Sequence, residues 1–63
     1  MQTPVTITVV LTTDQAEAYA QFLKRVGLSD YAPLARDQEE AYRMLAAGEA
    51  IRQALREVGH APR

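Results

Sequence analysis

His60 is the only histidine in this 63-residue chain, and there is no cysteine to accompany it. A zinc site needs three or four nitrogen, sulfur or carboxylate ligands converging on one point. A lone imidazole between Gly59 and Ala61, beyond the last predicted helix, supplies one. Nucleophilic catalysis has no better foundation, because Ser29 and the threonines stand without an identifiable base and orienting group. Gly27, Gly48 and Gly59 match neither a phosphate-binding loop nor a dinucleotide fingerprint. Gly27 and Gly59 read as helix stops, Gly27 as a left-handed one with Leu28 folding back on Leu23. No catalytic residue, metal site or cofactor is expected, and an enzyme is the reading these residues support least.

The remaining chemistry is that of binding. Asp37, Glu39, Glu40 and Glu49 are carboxylates that could imitate DNA phosphates toward a basic partner, with Asp30 as a further member of the set. Each also has an ordinary structural explanation. Asp37 and Glu40 suit a helix N-terminus, Glu39 can pair with Arg43 at i+4, and Glu49 can pair with Arg52 at i+3. Tyrosine is enriched in binding surfaces. Tyr19 falls on a core stripe and reads as structural, whereas Tyr31 and Tyr42 fall off or beside one. The expected partner-binding set is therefore Asp37, Glu39, Glu40, Tyr42, Asp30 and Tyr31.

Seven Lys+Arg against eight Asp+Glu give a formal charge of -1, far from the basic excess of a module that neutralises phosphates. Direct nucleic-acid binding is not expected on this ground. Without cysteine, neither a disulfide framework nor a thiolate zinc site can form, which is consistent with a reducing compartment. The chain starts Met1-Gln2-Thr3-Pro4 without a basic n-region, and no apolar run approaches the roughly 18 residues of a membrane span. These features are those of a cytoplasmic, membrane-free protein.

The elements that must position the binding residues are few. Val5-Thr6-Ile7-Thr8-Val9-Val10-Leu11 is β-branched and alternating, with Val5, Ile7, Val9 and Leu11 on one face and Thr6, Thr8 and Val10 on the other, which predicts a strand over about 5–11. Thr12 with Gln15, or Asp14 with Glu17, forms a capping box that opens a helix over about 14–26. Its apolar stripe is Ala16, Tyr19, Leu23 and Val26, flanked by Ala20 and Phe22. Residues 29–35 contain Pro33 and read as a connector, with room for one short helical turn, anchored by Tyr31 and Leu34. A second helix, over about 37–58, carries the seam Ala41, Met44, Gly48, Ile51, Leu55 and Val58, widened by Leu45, and stops at Gly59 and Pro62. Gly48 inside it implies either a second backbone crossing there or a bend.

The predicted fold class is thus α+β, one N-terminal strand followed by two amphipathic helices, in a single domain of residues 1–63. A chain of this size has little stability to spare and relies on good packing or on a partner. The lone strand also leaves its amide and carbonyl groups without a ladder. A second copy about a two-fold axis, a strand from the connector, or another protein would complete it, so a monomer and a strand-paired homodimer both stay open.

Two resemblances bear on function. The segment Gly48-Glu49-Ala50-Ile51-Arg52-Gln53-Ala54-Leu55-Arg56 resembles the second helix of ribbon-helix-helix repressors. That likeness implies an intertwined dimer whose paired strands enter the major groove, with Arg52 and Arg56 toward DNA. The outward strand face, Thr6, Thr8 and Val10, lacks the Arg, Lys, Asn or Gln such strands use, and the first helix is long for that family. Over its whole length the chain is similar to some small anti-CRISPR proteins of phages and mobile elements, of the kind that acts on type I-C systems. No diagnostic motif carries this likeness. It implies a non-enzymatic inhibitor that docks on a Cascade subunit, a protein partner with a basic DNA-binding surface, and blocks target DNA as a DNA mimic in the bacterial cytoplasm. The dimeric DNA-binding regulator is the alternative.

Overall fold

The computed structural model describes residues 3–60, so Pro62 and Arg63 lie outside the described residues. The order of elements is α1 (Thr13–Arg25), α2 (the single turn Leu28–Tyr31, running directly into a 3-10 turn at Ala32–Leu34) and α3 (Gln38–Glu57). Both long helices begin where their sequences provide acceptors for orphan amides. Thr12 Oγ1 accepts from the Gln15 amide at 3.1 Å, and Gln15 Oε1 accepts from the Thr12 amide at 3.0 Å. At α3 the cap is Asp37, whose Oδ1 accepts from the Glu40 amide at 2.8 Å, while Glu40 Oε1 reaches back to the Arg36 amide at 2.8 Å.

The expected α+β class is not what forms. Among the described residues there is no strand: residues 3–12 have no regular secondary structure, and the domain is all-helical. No backbone hydrogen bond joins residues 3–11 to another described residue. The physical reason is that a ladder needs a second strand at hydrogen-bonding distance, and residues 13–57 are committed to helices and their connector. The alternating pattern is real, but a single chain offers it nothing to pair with.

Of the two glycines expected to stop helices, one does so and the other acts differently. Gly59 has φ of 96° and terminates α3, with the His60 amide donating to the Leu55 carbonyl at 2.8 Å and the Gly59 amide to the Arg56 carbonyl. This is the Schellman arrangement. Gly27, expected to do the same for α1, is instead extended (φ -129°, ψ -178°) and caps α2, its amide donating to Asp30 Oδ2 at 2.8 Å. Asp30 thus replaces a left-handed glycine as the device that turns the chain.

Packing joins α1 and α2 to α3. The buried hydrophobic residues are Ala16, Ala20, Leu23, Ala41 and Leu55, with Val26 packed against them. Tyr19, placed on the core stripe by its spacing, is exposed, as is Phe22. Leu34, expected to anchor the connector, is 80% exposed, whereas Tyr31 packs against α3 at Gly48. Gly48 is buried for neither of the expected reasons. A Cβ there would lie 2.6 Å from the Tyr31 hydroxyl oxygen and 3.5 Å from Leu23 Cδ2, so a side chain, not a crossing backbone, occupies the space.

That contact predicts a coupled pair. Alanine at position 48 gains about 1 kcal/mol of helix propensity but forces the tyrosine ring away. Gly48→Ala alone should therefore cost about 1 kcal/mol net, and in a Tyr31→Phe background the same change should stabilise by about 1 kcal/mol. A double-mutant cycle by urea unfolding measures the coupling; additive changes would show that the hydroxyl is not what excludes a methyl group at residue 48.

Candidate interaction surface

The polar candidates are largely occupied by the fold. Asp37 and Glu40 are tied into the α3 cap, and Arg36 lies 3.7 Å from Asp37 Oδ2 and 3.9 Å from Glu40 Oε2. Glu39 pairs with Arg43 at 3.9 Å on an open helix face, a geometry that contributes little to stability. Asp30 caps α2. Tyr31 rests over Gly48, and Tyr42 is about half exposed. The structure therefore joins Asp37 with Glu40, leaves Glu39 and Tyr42 displayed on α3, and assigns Asp30 and Tyr31 to the α2 turn. Of the two arginines in the repressor-like segment, Arg52 turns back on Glu49 at 3.6 Å, with its Nε buried and without a hydrogen-bond partner. Arg56 is exposed in the last turn of α3. The described residues include no cluster of three or more potential metal ligands, and none of their helices is long and apolar enough to cross a membrane.

The Tyr31 hydroxyl is pushed above its ordinary value of 10.0, first by burial, then by the negative charge that Tyr19, Glu49 and Asp30 bring near it. Folding thus favours the neutral phenol, so its contribution to stability is present below pH 10 and falls as pH rises through 10 toward the folded value.

A further feature was not singled out in the sequence. An apolar groove of about 990 Å³ runs between the N-terminal segment, the outer face of α1 and the C-terminal half of α3. Ile7, Val9 and Leu11 form one wall, Ala18, Tyr19 and Phe22 another, and Ile51, Leu55 and Val58 the third. Tyr19 and Phe22, one turn apart, stack with ring centroids 5.5 Å apart and planes 16° from parallel, a favourable offset pairing. The N-terminal wall is open to water, Ile7 being 68% and Val9 63% exposed. These residues form one contiguous, partly exposed apolar surface. The signal was present in the sequence, as the coincidence of an alternating strand pattern with Phe22 on the flank of the α1 stripe and Ile51 and Val58 in the α3 seam. It was read as core because a period locates an apolar face without saying what covers it.

Two consequences can be checked. Asp37→Ala should cost about 1 kcal/mol of stability by loss of the cap, while Asp37→Asn should stay near wild type in thermal unfolding, since the amide oxygen still accepts. In an ultraviolet titration of tyrosine ionisation, Tyr31→Phe should remove a step lying above pH 10; disappearance of a step at or below 10 instead would contradict the partly shielded placement of this hydroxyl against Gly48.

Comparison with known proteins adds a family without a function. No curated protein and no solved structure matches the chain, and nothing found links it to anti-CRISPR proteins or to phages. All of residues 1–63 match one family profile, and the chain belongs to DUF7706, a family of unknown function.

Proposed function

We propose that this chain is a non-enzymatic protein-binding module that works by strand addition, residues 5–11 accepting an extended polypeptide segment whose apolar side chains enter the adjoining groove. The observation that carries this reading is the state of that segment. It is β-branched, alternating and uncharged, its backbone groups make no hydrogen bond to described residues, and it walls an apolar groove. In strand addition the backbone supplies affinity and pockets for alternate side chains supply specificity. Native edges that are not meant to pair are blunted by lysine, proline or a bulge, and residues 5–11 contain no lysine or proline.

The acidic surface fits the binding role less well. Asp37, Glu40 and Asp30 already serve as caps and acceptors within the chain, so their charge is explained without a partner. Partner recognition in this reading moves from the first turn of α3 to the opposite end of that helix and to α1.

The two surfaces are separated by a capture experiment with paired variants. Ile7→Asp with Val9→Asp should lower the yield of any protein retained by the immobilised chain at least tenfold, whereas Glu39→Lys with Tyr42→Ala should leave it unchanged. These last two positions lie outside the caps, so the cap hydrogen bonds of Asp37 and Glu40 are kept. Retention that is insensitive to the first pair and lost with the second would overturn strand addition and return the role to the acidic face.

A further inference from the structure

We infer that the segment added alongside residues 5–11 is the same segment of a second copy, antiparallel about a two-fold axis through Thr8. This rests on the strand-addition reading and names its occupant. Directly opposed residues of an antiparallel pair project to the same face. With Thr8 on the axis, Val5 faces Leu11 and Ile7 faces Val9 on the apolar side, while Thr6 faces Val10 and Thr8 faces itself on the other. The run is complementary to its own reverse, and having no charged residue it meets its copy without like-charge repulsion.

The surface of the single chain points the same way. It exposes 5218 Å², against about 4,000 Å² for a compact monomer of its 7.0 kDa mass. Roughly 1,000 Å² of surplus per copy corresponds to an interface of about 2,000 Å² in total, the size at which obligate homodimers begin. The radius of gyration of 12.7 Å likewise exceeds the roughly 11 Å expected for 63 residues. A paired ribbon from two copies, laid over both grooves, covers the apolar walls that the single chain leaves open.

The test uses the full chain, which has no cysteine of its own. Light scattering after size exclusion, from about 1 to 500 μM, should give twice the 7.0 kDa monomer mass. Thr8→Cys should form a disulfide dimer under mild oxidation, because opposed residues in an antiparallel pair sit about 4.5–5.5 Å apart at Cα, within disulfide range. Glu39→Cys, on an exposed face of α3, should stay uncrosslinked. Val9→Asp should raise the dimer dissociation constant at least tenfold, and Val10→Asp on the other face should change it less than threefold. A monomeric mass throughout would overturn the second copy as occupant, and the capture experiment would then judge strand addition by itself. A dimer that withstands Val9→Asp and fails to crosslink at Thr8 would likewise overturn self-pairing of residues 5–11, since another surface would hold it together, and strand addition would again be judged by the capture experiment.

Discussion

Among the described residues, three of the five buried hydrophobic side chains are alanines. Everything else in the architecture depends on that limitation. Buried apolar area contributes roughly 25 cal/mol per Å², and alanine has little area to bury, so Leu23 and Leu55 do most of the apolar work at the meeting of α1 and α3. Tyr31 adds a wedge from α2 into the notch at Gly48. What would be the bulk of a larger core, Tyr19, Phe22, Ile51 and Val58, instead lines an open groove. Local devices compensate in part: the two reciprocal caps and the Schellman turn at Gly59 satisfy backbone groups at helix ends, where a small domain has no stability to waste.

The same limitation explains which features were legible beforehand. Helix existence and ends were readable because caps are local: Thr12 with Gln15 and Asp37 with Glu40 announce themselves within four residues. The apolar stripes were readable as faces. Their depth was not, because Tyr19 and Leu23 carry equivalent signals in a 3.6-residue period, and only the placement of α3 decides that one is buried and the other lies at the rim. Gly27 misled for a related reason. Glycine accommodates a left-handed stop and an extended cap equally well, and the choice was made by Asp30 three residues on. The reason for Gly48, a tyrosine from another element, was beyond any local pattern.

For the candidate site, the residue types that suggest chemistry proved the least informative. Carboxylates at a helix start look alike whether they cap or recognise, and here Asp37 and Glu40 are spent on backbone amides. The more telling feature carries no chemistry of its own. It is a run of apolar residues whose exposure contradicts its composition.

That contradiction has a direct resolution. A helix satisfies its hydrogen bonds within one segment, so its sequence signal can be fulfilled by the chain that carries it. A strand satisfies none of its ladder bonds alone, and an alternating β-branched run therefore describes a pair of segments. Residues 13–57 contain no second run of this kind, being helix and connector. Free in water, residues 5–11 keep their polar backbone solvated but gain nothing from Val5, Ile7, Val9 and Leu11, which remain exposed. The groove beside them has the opposite deficiency, apolar walls with no side chains to fill the space between. In the proposed dimer, pairing would complete the ladder and close the groove, so that the alternating pattern left unfulfilled in the single chain would be fulfilled by two copies.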